Sequence, residues 1–201
     1  MREQFTKQLT ANCNALQAIR HKVVQTPLAN DLYQRTIEEL KEKIKIIDKE
    51  IKRLINNHPT IGPMTALLMT IPGVGMLLAS NIMVITMGFT KTINAKQFAA
   101  YIGICPNEYQ SGSSIYRRPC SAGYGPARFR KLVRLAALSL REHNKQFKQY
   151  FLRKVAEGKS ARLVINNIAN KLIRIICAVI RSRTPFIPNY RSVNPRFLKT
   201  A

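Results

Sequence analysis

Residues 67–79 read Leu-Leu-Met-Thr-Ile-Pro-Gly-Val-Gly-Met-Leu-Leu-Ala, an apolar run that a Pro-Gly-Val-Gly segment interrupts once. Apolar flanks on both sides of such a break favour two helices that are joined by a turn. Gly73 and Gly75 can adopt backbone angles that other residues avoid. The stretch therefore predicts two short apolar helices with a tight connection, and it points to a mainly α fold.

This turn has two interpretations. It resembles the helix-hairpin-helix motif of DNA-binding proteins, in which bare glycine backbone lets amide N–H groups at the next helix N-terminus face a phosphate oxygen. On that interpretation Gly73 and Gly75 bind a DNA phosphate. The alternative is a tight turn inside the core, because residues 76–83 are very apolar.

N-terminal to this turn lies a helical arm. Residues 1–25 predict one amphipathic helix, which Pro27 interrupts, and a second helix follows with a coiled-coil seam. The two helices form an antiparallel hairpin, or residues 30–57 pair with another chain to make a homo-oligomer. A His-Pro step at residue 58 predicts a domain boundary there. The seam residues recur every three or four positions: Ile37, Leu40, Ile44, Ile47, Ile51 and Leu54.

C-terminal to the turn, a short helix with Asn94 as its N-cap precedes a long segment, residues 106–125, which is rich in proline and glycine. A long loop in a compact domain is usually functional, and this one has room for a short β-hairpin at 108–118. The domains predicted are a coiled-coil arm, a compact helical domain and a basic, proline-containing tail, at 1–57, 58–183 and 184–201. Three amphipathic helices are expected in the second domain, at about 126–142, 144–157 and 160–182.

Charge is distributed very unevenly along the chain. The net charge is +23; residues 1–50 hold 9 Lys/Arg and 7 Asp/Glu, whereas residues 51–201 hold 24 Lys/Arg and 3 Asp/Glu. A surface with so many unneutralised cations needs a polyanionic partner. Nucleic acid is therefore the default partner.

Membrane, disulfide and zinc functions are not expected. The most apolar stretch, residues 66–89, is broken by proline and glycine, and the N-terminus has no apolar signal region. The cysteines are widely separated and form no Cys-x-x-Cys pair, which fits a reducing, cytoplasmic location. They are Cys13, Cys105, Cys120 and Cys177.

Carboxylates are too few for metal-dependent phosphoryl transfer within this chain. After Asp48 only Glu108, Glu142 and Glu157 follow, whereas two-metal chemistry needs a carboxylate cluster. The same scarcity argues against a helix-hairpin-helix glycosylase, and the three histidines are far apart. We therefore expect no metal or other cofactor in this chain.

A hydroxyl nucleophile remains as the candidate chemistry. Residues 109–118 read Tyr-Gln-Ser-Gly-Ser-Ser-Ile-Tyr-Arg-Arg, and Ser111 beside Gly112 can approach a DNA backbone closely. Ser113 and Ser114 are rivals, and a merely flexible serine-rich turn is the alternative. Phosphoryl transfer also needs cations on the non-bridging oxygens. The candidate phosphate-binding residues are Arg117, Arg118, Arg128, Arg130, Lys131 and Arg134.

An ordered series of motifs resembles a known family. The series comprises Ile71-Pro72-Gly73-Val74-Gly75, the segment 98–106, Ser111-Gly112, Arg130-Lys131-Leu132 and Ala136-Ala137. It is similar to the C-terminal transposase domain of the IS-one-ten insertion-sequence family, also called one-one-six or nine-zero-two, which includes the Piv-type DNA invertases. The resemblance covers about residues 58–183, and the arm resembles the family's coiled-coil linker.

The resemblance implies a mechanism and partners. Members combine an N-terminal RuvC-like domain with a four-carboxylate metal site, a coiled coil, and a C-terminal domain whose Ser-Gly serine links covalently to DNA. A structured guide RNA selects sites in such members. By position, Ser111 carries over as the nucleophile and Gly112 as its partner, and a divalent metal is expected only in a RuvC-like domain.

Two departures from the family pattern bear on function. The sequence holds no RuvC-like segment, so we expect an incomplete enzyme, which is a truncated, split or internally initiated product. Residues 122–125 read Ala-Gly-Tyr-Gly where members often have Ser-Lys-x-Gly, so a lysine is missing. The chain is then either the catalytic C-terminal half of a DNA transposase or a non-catalytic, dimerising remnant that binds DNA or RNA.

Overall fold

The computed structural model describes residues 1–21, 26–90, 94–111, 115–121 and 123–188, and between residues 106 and 120 it describes the backbone alone. Within these ranges the chain is mainly α, as predicted, with eight α-helices and one two-stranded antiparallel sheet. Contacts divide the chain into two compact units, Met1–His58 and Pro59–Ala201. The elements are α1 (Arg2–Arg20), α2 (Pro27–Asn57), α3 (Ile61–Met69), α4 (Met76–Ile85), α5 (Ala95–Ile102), β1 (Pro106–Ser111), β2 (Ile115–Ser121), α6 (Ala127–His143), α7 (Lys145–Ala156) and α8 (Ala161–Ser182).

The first unit is an antiparallel pair of helices. Pro27 occupies the first turn of α2, where its missing N–H costs no hydrogen bond. The Arg2 guanidinium at the start of α1 pairs with Asp48 near the end of α2, with Nε and Oδ1 2.5 Å apart. Leu16 of α1 is buried, as are the seam residues Ile37 and Leu40. Of the two predicted arrangements, the structure has the intrachain hairpin, whereas a homo-oligomer through residues 30–57 stays a prediction.

The second unit is built around α8. This helix contacts α3, α5, α6 and α7. Ten of its residues are buried, because apolar side chains recur in pairs every three or four positions and form one broad apolar side. By length and composition α8 could also cross a membrane. However, half of its most apolar 18-residue segment is buried inside the domain, and the same segment contains the charged residues Lys171 and Arg174. This extent of burial is typical of a helix in the core of a domain.

The turn between α3 and α4 uses its two glycines differently. Gly73 has φ +80°, and a Cβ there would lie 3.0 Å from the Ala136 carbonyl oxygen of α6. Gly75 has φ −91° and ψ 174°, an extended conformation that any residue adopts. The expectation of special backbone angles is therefore right for Gly73 and wrong for Gly75. Close packing against α6 explains Gly73, and phosphate binding by either glycine stays a prediction.

The segment that leads to the strands is tightly specified. The Asn94 side chain caps α5 by accepting a hydrogen bond from the Lys96 amide at 3.0 Å, as predicted. Gly103 ends α5 in the left-handed conformation, with φ +75°. The chain then enters β1, which pairs with β2 in antiparallel register from Pro106–Ser121 to Ser111–Ile115.

The predicted C-terminal helices correspond to α6, α7 and α8. Residues 184–188 follow α8, and the Phe186 amide donates to the Thr70 hydroxyl at 2.9 Å. Phe186 also packs against the core. The first part of the predicted tail is thus docked on the domain, and the rest, residues 189–201, lies outside the described residues.

Candidate nucleic-acid interface

Ser111, the predicted nucleophile, is the last residue of β1. It pairs with Ile115, the first residue of β2, so it lies at the end of the hairpin where the chain passes from β1 to β2. Five residue steps separate it from Pro106, which corresponds to about 17 Å of strand. Gly112, Ser113 and Ser114 lie outside the described residues. The catalytic roles of Ser111 and Gly112 therefore stay predictions.

Three side chains tie the opposite end of the hairpin, its root, to the helices. The Ser121 hydroxyl donates to the Gly103 carbonyl. Asn166 and Asn170, one turn apart on α8, donate their side-chain amides to the Ile104 carbonyl at 2.9 and 3.2 Å. Ile104 is buried, so these amides satisfy an acceptor that water does not reach easily. The hairpin is thus anchored on α5 and α8.

Arg130 fastens the same region from α6. Its Nη1 donates to the carbonyls of Ile102 at 2.9 Å, Gly125 at 3.3 Å and Tyr124. A guanidinium that bridges three carbonyls holds the end of α5 against residues 124–125. The predicted role of Arg130 was phosphate binding; the structure assigns it a structural role, and the phosphate contact stays a prediction.

A cavity of about 390 Å³, which we call the hairpin-root cavity, opens beside these anchors. Exposed Lys131 and Arg134 reach it from α6, and exposed Arg162 reaches it from α8. Among the described residues, these three have no carboxylate within ion-pair distance. The complete lining is Ile104, Ser121, Ala127, Arg130, Lys131, Arg134, Arg162, Ile165, Asn166 and Ala169.

Two helix N-termini add to the positive potential of this cavity. α6 contributes Ala127 and α8 contributes Arg162, both from the first turn. Neither first turn carries an acidic residue, so the positive ends of both helix dipoles are left without a side-chain anion. Cations at these positions are unfavourable for the helix and favourable for a bound phosphate. The arrangement therefore favours an anionic ligand over a neutral one.

The structure brings together only some of the predicted phosphate-binding residues. Arg130, Lys131 and Arg134 share the hairpin-root cavity, whereas Arg128 is exposed on the first turn of α6 and does not line it. Arg117 and Arg118 are consecutive residues of β2 whose side chains lie outside the description. Their contacts with DNA stay predictions.

Ser121 and Asn166 were not predicted as site residues, and Arg162 was predicted only as one of several cations along the last helix of a phosphate-binding surface. The signal for Asn166 was present: Asn166 and Asn170 are four residues apart in a helix that is otherwise apolar on its buried side. Such a pair indicates a buried polar partner. No comparable signal distinguishes Arg162 from the other basic residues of α8.

The described residues include no group of three or more His, Cys, Asp or Glu side chains that could hold a metal ion. Cys177 is buried among the core residues of α8, and burial raises the pKa of its thiol to about 11. Cys13, by contrast, is exposed. The two thiols are therefore expected to differ strongly in reactivity.

We expect Cys177 to resist alkylation in the folded protein while Cys13 reacts. The folded thiol ionises near 11 and its ordinary pKa is 9.0, so folding favours the neutral thiol and this stabilisation is lost as pH rises between those values. At about pH 8 the thiolate fraction of Cys177 is about a hundredfold lower than that of a free cysteine. Mass spectrometry after iodoacetamide treatment, with urea-unfolded protein as the control, measures this. Equal labelling rates for the two cysteines in folded protein would contradict it.

Residues 65–152 match the family model described as "Transposase IS116/IS110/IS902 family". The chain is 30% identical over 151 residues to the pilin gene-inverting proteins of Moraxella lacunata and Moraxella bovis, covering 75% of this chain and 47% of each relative. It is 25% identical over 143 residues to an insertion element IS110 uncharacterized 43.6 kDa protein of Streptomyces coelicolor, covering 71% of this chain and 34% of the relative. The chain thus spans about half the length of the first two relatives. These matches support the assignment to this family that the sequence motifs predicted.

Proposed function

We propose that this chain, as a member of the IS116/IS110/IS902 transposase family, acts on DNA in transposition or site-specific inversion, with Ser111 as the nucleophile. One observation carries the proposal. Ser111 lies at the free end of a hairpin whose root adjoins the hairpin-root cavity with Lys131, Arg134 and Arg162. A DNA backbone that binds in this cavity could therefore run along the hairpin and reach Ser111.

The dimensions support such a path. The strand from the root to Ser111 is about 17 Å long. One strand of duplex DNA carries a phosphate about every 3.4 Å of helix axis, so a duplex whose axis runs parallel to the hairpin spans about five base-pair steps between the cavity and the reacting phosphate. The cavity then positions the DNA, and the hairpin end presents the nucleophile to a different phosphate.

The proposed reaction is a transesterification. The Ser111 Oγ attacks phosphorus and forms a serine–phosphate ester, the bond from phosphorus to one neighbouring sugar oxygen breaks, and that oxygen takes up a proton. The serine proton passes to a general base. Attack by a free DNA hydroxyl reverses the step on a new partner, so the energy of the phosphodiester is conserved during strand exchange.

Further components are part of the proposal. The relatives are about twice as long as the matched segment. By the family resemblance, a RuvC-like domain with a divalent metal would provide the general base that takes the serine proton. A structured guide RNA, a homo-oligomer through residues 30–57 and a cytoplasmic location belong to the same proposal. The chemistry of the chain's own residues is confined to nucleophilic attack and phosphate binding.

Covalent trapping tests the proposal. The substrate is DNA flanking the coding sequence of this chain, with sulfur replacing the leaving-group oxygen at each candidate position, so that the departing thiol does not reverse the reaction. A relative's RuvC-like domain and Mg²⁺ are added. We expect an SDS-resistant adduct that mass spectrometry maps to Ser111, and we expect Ser111→Ala to abolish it.

Ser113→Ala and Ser114→Ala are the matched controls, because they remove a hydroxyl within three residues of Ser111 and leave Ser111 intact. Both are expected to keep the adduct at close to the unmodified level. An adduct that survives in Ser111→Ala, or that is lost in either control instead, would refute the assignment of the nucleophile.

A second candidate function is binding without catalysis. The observation in its favour is the lack, among the described residues, of any group that could hold a metal ion, together with an accessible cation-lined cavity. In that case the folded chain binds DNA with a steep salt dependence but gives no adduct with any partner domain. Strand exchange by the chain would exclude this alternative.

A further inference from the structure

We infer that the groove between α7 and α8 is a second binding site for a nucleic-acid phosphodiester backbone, separate from the hairpin-root cavity. It has a volume of about 710 Å³. α7 contributes Tyr150 and Arg153, and α8 contributes Lys171 and Arg174. The inference does not depend on Ser111 or on any catalytic step.

Cations crowd this groove without compensation from its own lining. The Lys171 Nζ lies 3.6 Å from the centre of the Tyr150 ring, and the Arg153 guanidinium carbon lies 5.8 Å from the same centre. No carboxylate occurs among the described residues that line the groove. The nearby Glu157 is 2.6 Å from the Lys154 Nζ but 3.9 Å from Arg153 Nε, so it is engaged mainly outside the groove.

The crowding has an electrostatic consequence. Burial lowers the pKa of Lys171, and repulsion from Arg153, Lys154 and Arg174 lowers it further. A phosphate placed between these side chains would relieve the repulsion and accept hydrogen bonds from guanidinium and ammonium groups. Gln146 and Gln149, which also line the groove, add neutral amide donors of the kind that contact phosphate and sugar oxygens.

The groove and the hairpin-root cavity lie on opposite faces of α8. The cavity uses residues 162, 165, 166 and 169 of this helix, and the groove uses residues 171, 174 and 175. At 3.6 residues per turn, the centres of the two sets are about 180° apart around the helix and about 12 Å apart along it. A straight backbone segment in one site therefore does not continue directly into the other. The second unit has room for two backbone segments, one on each side of its central helix.

Binding measurements on the full chain test the inference. The groove variant is Arg153→Glu with Arg174→Glu, and the matched control is Lys145→Glu with Lys148→Glu. The control changes the net charge equally, and it alters exposed cations of α7 that do not line the groove. Circular dichroism checks that both variants are folded. All variants carry Ser111→Ala, so that the result is independent of catalysis.

Fluorescence anisotropy against salt is measured with duplex DNA, single-stranded DNA and single-stranded RNA as separate probes. The probe with the largest loss identifies the occupant of the groove. At about 0.15 M salt we expect the groove variant to weaken binding of that probe by about tenfold or more. Loss of two phosphate contacts is expected to flatten the log–log salt slope for that probe by about 1.8 if it is duplex DNA, or by about 1.4 if it is a single strand. The control is expected to shift both quantities by less than half as much. Equal losses in the two variants for all three probes would overturn the inference.

Stoichiometry tests whether the site is separate. Native mass spectrometry with an oligonucleotide of about eight nucleotides is expected to give two bound per unmodified chain. One is expected for the groove variant, and one for Lys131→Glu with Arg134→Glu in the hairpin-root cavity. A single oligonucleotide per unmodified chain would exclude a second site and would leave the cavity proposal unaffected.

Discussion

Gly125→Ala is expected to destabilise the second unit by about 3 kcal/mol or more, a large fraction of the roughly 5–15 kcal/mol by which single domains are stable. A Cβ on Gly125 would lie 1.9 Å from the Tyr101 carbonyl oxygen, and φ at this residue is +76°. Gly103 has the reciprocal contact, because its Cβ would lie 2.2 Å from the Tyr124 carbonyl oxygen. The end of α5 and residues 124–125 thus cross with backbone against backbone, which leaves no flexible side chain to move aside.

Urea unfolding followed by circular dichroism measures this effect, and Gly123→Ala is the matched control. Gly123 lies in the same connection with φ +72°, but nothing lies within 4 Å of the Cβ position. Its substitution therefore incurs only the left-handed backbone strain, about 1–2 kcal/mol. If the two variants lose equal stability, the steric crossing is not what requires glycine at residue 125.

Arg130→Ala is expected to lower the free energy of unfolding by about 2–4 kcal/mol. The substitution removes the donor that serves the carbonyls of Ile102, Tyr124 and Gly125. Hydrogen bonds from a charged donor contribute about 1.5–3 kcal/mol each, and their sum is reduced where water reaches the partly exposed carbonyls. The loss therefore follows from structure and not from any bound DNA.

Arg134→Ala separates the structural role from the binding role. Arg134 is exposed in the hairpin-root cavity, so its truncation should change stability by less than about 0.5 kcal/mol. It should nevertheless flatten the log–log salt slope for duplex DNA by about 0.9. Urea unfolding measures the stability of both variants, and fluorescence anisotropy measures their salt-dependent binding to duplex DNA. An Arg130→Ala protein that is fully stable and defective only in DNA binding would contradict the anchoring role.

Short-range sequence patterns were sufficient to predict the helices. The seam from Ile37 to Leu54 predicted α2, and the Asn94 cap predicted the start of α5, because both signals act between residues within one or two turns. The scarcity of carboxylates after Asp48 is likewise a property of the sequence, and it indicated a polyanionic partner. The order of the motifs was specific enough to identify the family.

Contacts between distant residues were not predictable in the same way. Asn166 and Ile104 are 62 positions apart, and Arg130 and Ile102 are 28 apart, so no periodicity connects them. Sequence reasoning treated the basic residues of α6 and α8 as one phosphate-binding surface. The structure distributes them between an anchor (Arg130), the hairpin-root cavity and the α7–α8 groove.

The helices, the uneven charge and the family resemblance were predictable from residue types and short-range spacing. Which cations share a cavity, and which one bonds to backbone carbonyls, became known from the three-dimensional contacts alone. The same contacts also show which glycines face another chain segment: Gly73, Gly103 and Gly125 do, whereas Gly75 and Gly123 face open space. The reason is physical, since a charge or a missing Cβ acquires its role from the groups that folding brings within a few ångströms of it.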